Sequence, residues 1–290
     1  MKNEKYAPVF LFLSALLWSL SGIFTKSVAW NGLCLATLRG VIALAVSAFL
    51  VRGRRIRLNR QKVLTAVCYF AQSVLFMCAN KFTTAANATV LQNTSPLYII
   101  LFNALLAKKR PRLHECVACG SLLFGVLLAC AGNMAGGGRL GNVLALLSAL
   151  FYAGVFFFSK AEGADPLESL FLGNACCLVL VPYCIANETV RSTTVSEWPF
   201  LLVFASLTGI CAWLCFTVGI RHTGALQANF ITMTEPVMAP LWTFLFLKES
   251  IAPLSVVGCV VVITTLVFYN VISIRSAQKE EQHKISEREI

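Results

Sequence analysis

Two ionisable side chains stand well inside long apolar stretches of the sequence: Arg39 in CLATLRGVIAL and Glu235 in ITMTEPVMAP. A charge at the bilayer centre costs about 2.5–3.5 kcal/mol on insertion scales, so such residues face a bundle interior or a cavity. If both stretches are helical, Arg39 lies roughly 13 Å and Glu235 roughly 19 Å from the outer end of its span at 1.5 Å per residue. The depths overlap, which allows an ion pair, formed directly or through a substrate. Purely structural roles remain as alternatives, as does proton or substrate coupling for Glu235.

Other residues at membrane depth are candidates to line a cavity with this pair. Pro96 and Pro236 each remove a backbone donor in mid-span, which kinks or loosens a helix; they are candidate hinges, with ordinary packing as the alternative. Aromatic faces clasp an organic substrate or its cation, and amides supply paired donors and acceptors. The candidate substrate-binding residues are Trp18, Arg39, Gln72, Ser95, Tyr98, Tyr152, Trp213, Asn229, Glu235, Met238 and Trp242.

Metal, cofactor and phosphate chemistry find no support in the sequence. Most of the 12 cysteines lie in apolar stretches, where cysteine behaves as a small hydrophobe, and Cys116-Val-Ala-Cys119 is a lone pair without a histidine cluster. The glycine run before Arg139 lacks the Gly-Lys-Ser/Thr of a phosphate loop. We predict no cofactor, no metal and no enzymatic activity. A membrane enzyme acting on lipid-linked substrates is the alternative of another class.

The composition indicates that these residues lie inside a membrane rather than in the core of a soluble protein. Hydrophobic residues make up 58% and charged residues 13% of the 290 positions, whereas soluble chains have roughly 45–50% and about 25%. The mean hydropathy is +0.75. The net charge of +11 comes mainly from short connectors between apolar runs, which disfavours nucleic-acid binding. The chain is predicted to be a polytopic membrane protein.

Runs of about 20 apolar residues are long enough to cross a hydrocarbon core as a helix. If the stretch 224–247, the ninth of the spans given next, is one continuous helix, residues 228, 231, 235, 238 and 242 lie on one face of it. Ten spans are predicted: 8–25, 31–51, 63–81, 84–107, 114–133, 140–159, 167–187, 199–220, 224–247 and 253–274.

The distribution of lysine and arginine predicts the orientation. Alternate connectors carry 18 basic residues on one side and 5 on the other, and the basic side is usually cytoplasmic. An even number of spans then places both termini in the cytoplasm of a cell (plasma or inner) membrane.

The two halves of the sequence repeat one another. Residues 11–27 align with 145–161, and residues 81–108 align with 221–248, so that Trp18 falls on Tyr152 and Pro96 on Pro236. Five spans per unit is an odd number, so the second unit enters the membrane in the opposite sense, as in many secondary transporters. The predicted parts are a first repeat (1–133), a linker (134–139), a second repeat (140–274) and a charged cytoplasmic tail (275–290).

Several motifs resemble the drug/metabolite transporter superfamily, in particular its ten-helix branch with two EamA domains. They are SALLWSLSGIFTK, CLATLRGVIAL, the join ANKFTTAANATVLQNTSPLY, Thr234-Glu-Pro-Val and Leu247-Lys-Glu249, within a resemblance that covers residues 8–274. The first repeat departs from the second, because Ala107-Lys-Lys109 lacks an acidic residue. The resemblance implies a helical carrier with a central cavity lined by spans 1, 3, 4, 6, 8 and 9.

Repeat and resemblance together predict the function. We expect a secondary transporter that moves a small organic metabolite, such as an amino acid or its analogue, by alternating access, with protons as a potential coupling partner. An exporter of toxic organic cations or drugs is the alternative within the same class. A channel or a structural subunit is the remaining class, since a carrier saturates and a channel does not. The oligomeric state is open, and a monomer is compatible with the sequence.

Overall fold

The structure, a computed structural model, describes residues 6–83, 85–108, 110–130, 138–238, 242 and 253–286. Within these residues the regular elements are helices, without a strand. Short 3-10 turns cover Cys177–Leu180 and Val195–Glu197, a π-helix covers Ala205–Cys211, and residues 235–238 are helical. The α-helices are α1 (Ala7–Ser19), α2 (Ser21–Ser27), α3 (Gly32–Leu50), α4 (Arg60–Phe82), α5 (Ala85–Gln92), α6 (Ser95–Leu105), α7 (Leu113–Cys130), α8 (Arg139–Phe158), α9 (Pro166–Cys176), α10 (Val181–Ala186), α11 (Glu188–Arg191), α12 (Trp198–Phe204), α13 (Ala212–Arg221), α14 (Ala225–Thr232) and α15 (Pro253–Ser286).

Side-chain caps fix where several of these helices begin. Asn31 accepts from the backbone N–H of Cys34 at the start of α3, and Asn59 accepts from that of Lys62 at the start of α4. Asp165 caps α9. Such caps satisfy N–H groups that lack a partner in the first turn. The caps thereby define the first residues of helices α3, α4 and α9.

Several predicted spans are interrupted rather than continuous. The first span is divided at Leu20, between α1 and α2, and the fourth is divided by a turn at residues 93–94, between α5 and α6. In the ninth, a turn at 233–234 separates α14 from the helical residues 235–238. Pro96 therefore lies in the first turn of a new helix, where its missing N–H costs nothing. The single continuous face predicted for the ninth span is wrong, because residues before and after that turn belong to separate helical pieces.

The packing of helices is reciprocal between the two halves. α4 packs along α8 and α1 along α13, which is the same contact under exchange of the repeats, while α7 packs against α15 and α6 against α14. Four basic residues, Arg60, Arg112, Lys160 and Arg221, lie at one end of the bundle, which we call the basic end. α4 starts there, whereas its counterpart α13 ends there, and α1 and α8 are related in the same way. The two repeats thus run in opposite directions.

The outer surface of the bundle is apolar. Phe49 is 72% exposed, Phe124 57% and Val179 80%, an arrangement expected where lipid replaces water. Among the described residues, five helical segments are long and apolar enough to cross a membrane: Gly32–Leu50, Arg60–Phe82, Arg139–Phe158, Pro166–Ala186 and Val195–Arg221. Shorter apolar helices, such as Ala7–Ser19 and Leu113–Leu128, complete the bundle.

Parts of the predicted organisation lie at or beyond the edges of the described residues. α15 continues to Ser286, past the predicted end of the last span at residue 274. Residues 134–137 of the predicted linker, Leu247-Lys-Glu249 and residues 287–290 of the predicted tail lie outside the described residues.

Candidate substrate-binding site

A small polar cavity lies in the middle of the bundle, between the two repeats. Six of the residues predicted to bind substrate line it together: Trp18, Arg39, Gln72, Tyr152, Trp213 and Glu235. They come from α1, α3, α4, α8, α13 and the helical residues 235–238, so both repeats contribute three. For Trp18 and Tyr152 the convergence follows from the reciprocal packing, since these two aligned positions are in contact between the repeats.

Three further residues of the cavity were not among the predicted ones: Ser21, Phe76 and Gln92. Gln92 carries the same signal as Gln72, an amide inside an apolar run, and could have been found by that rule. Its side chain donates to Ser148 Oγ at 3.1 Å. Ser21 and Phe76 have no such signal, because serine and phenylalanine are common in membrane helices whichever way they face.

Arg39 is held by the irregular part of the eighth span. Its Nη2 donates to the carbonyl of Thr208 at 2.8 Å, and its guanidinium carbon lies 5.7 Å from the centre of the Phe204 ring. Thr208 belongs to the π-helix, where the altered backbone pairing leaves carbonyls available. A Cβ at Gly209 would lie 3.2 Å from the Arg39 Cβ, so glycine permits this close approach of α3.

Glu235 follows directly on the turn that interrupts the ninth span. Its counterpart in the first repeat is Ser95, which starts α6. Glu235 and Arg39 are 7% and 6% exposed and border the same cavity. Within the described residues no ion pair within 4.0 Å joins them, so the direct pair that the sequence allowed is not formed. The space between them is left to a third group.

An aromatic cluster closes the cavity on the side of the basic end. The Trp18 ring centre lies 4.7 Å from that of Trp213 and 6.0 Å from that of Tyr152. Phe156 and Phe216, about one turn nearer the ends of α8 and α13, extend the cluster, with ring centres 5.1 Å apart. Both phenylalanines are fully buried. This aromatic layer separates the cavity from the basic end.

Four buried polar atoms of the cavity-lining residues lack a hydrogen-bond partner within the described part of the chain: Arg39 Nε, Gln72 Oε1, Tyr152 Oη and Trp213 Nε1. A buried polar group without a partner costs about 1–3 kcal/mol, and native structures contain few of them. The free volume of the cavity is about 20 Å³, which is room for a water molecule and not for an organic solute. The site thus offers two N–H donors, one amide acceptor, the Tyr152 hydroxyl and a carboxyl group, in a contracted form.

The other predicted site residues lie next to the cavity rather than in its lining. Ser95 and Asn229, both fully buried, bond to each other across α6 and α14, with Asn229 Nδ2 donating to Ser95 Oγ at 2.8 Å. Trp242 Nε1 donates to Ser19 Oγ at 2.6 Å. Tyr98 and Met238 are partly buried and pack on the core. Their part in substrate binding stays a prediction, as does the hinge role of Pro96 and Pro236.

A much larger cavity opens at the basic end. Its volume is about 1110 Å³, and the starts of α4, α7 and α14 and the ends of α6 and α8 surround it. We call this cavity the vestibule. Its charged lining consists of Arg60, Arg110, Arg112, Glu115 and Lys160.

Fold and site define a class of protein: an all-α membrane protein with two inverted repeats around a central polar cavity. The sequence matches the model of the EamA-like transporter family twice, over residues 5–131 and 139–271. The chain therefore belongs to the EamA-like transporter family. This confirms the predicted superfamily and the predicted fold class of an integral membrane protein.

Individual relatives agree with this membership. The uncharacterized transporter YcbK of Bacillus subtilis is 24% identical over 204 residues, which are 66% of this chain and 65% of that protein. An uncharacterized transporter of Archaeoglobus fulgidus is 24% identical over 261 residues, or 88% of this chain and 92% of the relative. A crystal structure of another protein superimposes with a TM-score of 0.75 at 19% identity and covers 93% of this chain and 98% of that one. That likeness concerns the fold alone.

Proposed function

We propose that this protein is a secondary transporter that carries a small organic metabolite across the cell membrane by alternating access. The observation that carries the proposal is the central cavity, whose lining contains Arg39 and Glu235, both buried and not joined by an ion pair. Charges at membrane depth mark substrate and ion pathways. The family membership supports transport, and the cavity supports a polar organic cargo.

The chemistry of the cavity suits an amino acid or a related compound. Arg39 Nε and Trp213 Nε1 are donors without partners, and a carboxylate would satisfy both. Gln72 Oε1 and the carboxyl of Glu235 would accept from an ammonium group, and the faces of Trp18 and Tyr152 border the same space. A zwitterion would thus replace the missing partners of the buried polar atoms.

Alternating access follows from the contracted form of the site. A volume of about 20 Å³ requires helices to separate before an organic solute enters. The turns at 93–94 and 233–234 interrupt counterpart spans beside Pro96 and Pro236, and such interrupted spans are typical of transporter binding sites. We propose that these turns are the hinges and that the aromatic layer is the inner gate.

We further propose that the basic end faces the cytoplasm, with both termini on that side, and that residues 1–133 and 140–274 form the two repeats. The excess of lysine and arginine at one end supports this orientation. Reporter tags on the two termini test it. Opposite locations of the two tags would reject it.

Transport itself is tested without knowledge of the substrate. A metabolite that binds only the folded protein raises its apparent stability by mass action, so a stability-shift screen of purified protein identifies candidate ligands. Their flux is then measured in proteoliposomes. A saturable flux supports the carrier, a large nonsaturable flux indicates a channel, and no flux for any ligand rejects the proposal. Organic cations as the only ligands would favour the drug-exporter alternative.

Proton coupling through Glu235 is a separate part of the proposal. Glu235→Gln keeps the size of the side chain and removes its exchangeable charge, so we expect flux that no longer responds to an imposed pH gradient. Glu162→Gln, at an exposed position away from the cavity, is the matched control. Unchanged flux and unchanged pH response in Glu235→Gln would reject the coupling role.

A further inference from the structure

The vestibule has a charged lining of one predominant sign. Arg60, Arg110, Arg112 and Lys160 line it together with one carboxylate, Glu115, among the described residues. Glu115 is already engaged, because it accepts from the backbone N–H of Arg112 at 2.9 Å. The charged side chains therefore leave an excess of positive charge in this cavity.

Helix ends do not reverse this sign. The starts of α4, α7 and α14 contribute partial positive charge and the ends of α6 and α8 partial negative charge, so the two contributions largely cancel. The start of α14 is the most open of these ends, because its cap residue Gly224 offers no side chain to the first-turn N–H groups. Among the residues that the structure describes, four cationic side chains line the vestibule against one carboxylate, so the sign of its lining is positive.

Two of the cations are available to a solute. Lys160 is fixed, since its Nζ donates to the carbonyls of Ile220 and Arg221 at 3.1 and 2.9 Å. The guanidinium groups of Arg60 and Arg110, in contrast, form no hydrogen bond or ion pair with another described residue. Free guanidinium groups around a concave space are suited to carboxylate recognition.

The vestibule lies on the path to the central cavity. α8 carries Phe157 and Phe158 in the wall of the vestibule and Tyr152 in the wall of the cavity. α14 starts at the vestibule and leads to Glu235 in the cavity. The vestibule and the central cavity thus lie along the same two helices, and the vestibule is the one nearer the basic end.

We propose that the vestibule captures organic anions and that the transported substrates carry a carboxylate in excess of their amino groups. This inference rests on the proposed function and narrows its substrate class. A cleft lined by charge of one sign raises the local concentration of the opposite charge and its rate of association. Arg39 then receives the carboxylate in the cavity, and an anion beside Glu235 is tolerated when that carboxyl carries a proton.

The field in the vestibule can be measured without a substrate. Ala107 lines the vestibule and is exposed. Ala107→Cys is made in a background with Cys116→Ser and Cys211→Ser, which removes the exposed native thiols among the described residues. Its rates of reaction with an anionic and a cationic methanethiosulfonate are compared with those at Val195→Cys, which is exposed in the connector at the opposite end.

We expect the ratio of anionic to cationic rate to be about tenfold higher at Ala107→Cys than at Val195→Cys at low salt. Arg60→Glu with Arg110→Glu should abolish the difference. Arg55→Glu, an exposed charge reversal in the neighbouring connector that does not line the vestibule, should leave it intact. Equal ratios at both positions, or a ratio insensitive to the double reversal, would overturn the proposal.

Flux separates this proposal from the transporter itself. Glutamate, glutamine and lysine, which differ in net charge on a similar skeleton, are tested with every ligand from the stability-shift screen. We expect anionic solutes to give saturable flux, with half-saturation at the basic end raised about tenfold by the double reversal and the maximum rate kept. Saturable flux confined to cations overturns anion capture and leaves the transporter standing. Absence of saturable flux for every solute overturns the transporter and the capture role with it.

Discussion

At the scale of single residues, Arg39 is the most constrained side chain of the site. One end of its guanidinium is fixed on the carbonyl of Thr208, whereas its Nε points to no partner. A fixed charge with an unused donor is pre-organised, because little side-chain freedom is lost when an anion binds. The geometry therefore favours a ligand carboxylate over Glu235 as the partner of Arg39.

Gly209 tests how closely α3 must approach the π-helix. Gly209→Ala would place a Cβ 3.2 Å from Arg39 Cβ and 3.3 Å from its carbonyl oxygen, so we expect a destabilisation of about 1 kcal/mol or more and a rise in the half-saturation for substrate. Gly120→Ala, where nothing lies within 4 Å, is the control and should be neutral or stabilising by up to about 1 kcal/mol. Thermal unfolding and flux measure both. Equal behaviour of the two variants would contradict the packing role.

The sequence revealed the two charged residues of the cavity more reliably than its other residues. Arg39 and Glu235 were identifiable because a charge inside an apolar run has few structural explanations. Ser95 has a polar group as well, but its hydroxyl bonds to Asn229 and it does not line the cavity. Gln92, which was not predicted, lines the cavity instead. A serine that pairs within the bundle and one that faces a cavity look alike in sequence, because only the partner differs.

At the scale of elements, an ionic network ties three helices together at the basic end. Lys62 of α4 and Glu168 of α9 form an ion pair of 2.6 Å, with side chains 11% and 10% exposed. Arg221 of α13 donates to Asp165 at 3.0 Å. Asn59 Nδ2 donates to the carbonyl of Gly163 at 2.7 Å. These contacts make the ends of α4, α9 and α13 one unit that forms a fixed side of the bundle.

The effects of substituting Lys62 and Glu168 on the free energy of unfolding should be strongly coupled. Lys62→Met leaves the Glu168 carboxylate without its partner, and breaking such a pair costs about 3 kcal/mol. Lys62→Met combined with Glu168→Leu removes both charges and should recover most of that loss. Thermal or denaturant unfolding of the purified variants measures the stability lost in the single variant and recovered in the double variant. A double variant as unstable as the single one would show that the loss comes from packing instead.

Asp165 should give part of the stability a dependence on pH. Partial burial raises its pKa, but the N–H groups of Glu168 and Leu167 and the charge of Arg221 outweigh this, so the pKa lies below its ordinary value of 3.8. A depressed pKa contributes stability above pH 3.8 that is lost as the pH falls through the folded-state value.

The measurement compares melting temperatures between pH 6 and pH 3 for Asp165→Asn and the unmodified chain. Their difference should shrink below pH 4, since the variant lacks the titrating charge. Asp165→Ala should be less stable than Asp165→Asn by about 1 kcal/mol, because asparagine still caps α9. A difference that stays constant with pH would contradict the role of the charge.

Within the described residues, the approximate limits of the helices were predictable, but their irregularities were not. Apolar runs give the length of a span, and Asn59 or Asp165 marks the start of its helix. The π-helix at Ala205–Cys211 has no such signal in the local sequence. Its close contact, between Gly209 and Arg39, joins residues that are far apart in sequence and could not be predicted from the apolar pattern either.

At the scale of the whole molecule, the aromatic layer lies between the central cavity and the basic end of the bundle. Phe156→Ala and Phe216→Ala each remove a fully buried ring from this layer, at a cost of about 3–5 kcal/mol. We expect either variant to raise uncoupled leak through proteoliposomes. Phe230→Ala, an equally buried ring that packs against Tyr269 away from the cavity, should lose similar stability without added leak. Leak in all three variants would show that the layer is not the gate.

The inverted arrangement itself was predictable from an odd number of spans per repeat. The alignment also locates the pseudo-two-fold axis that relates the two repeats. Trp18 and Tyr152 are aligned with each other and are in contact, so both lie close to that axis. The contracted state of the cavity had no counterpart in the sequence, because one chain encodes every conformation of the transport cycle.

α15 has one more consequence for how the protein could be observed. Its 34 residues span about 51 Å at 1.5 Å per residue, whereas the hydrocarbon core is roughly 30 Å thick. The part of α15 that exceeds the thickness of the core extends into the aqueous phase as a rigid helix. This helix packs on the bundle through α7. A small tilt inside the lipid becomes a larger displacement at Ser286, where a spectroscopic label would report the helix movements of a working cycle from outside the membrane.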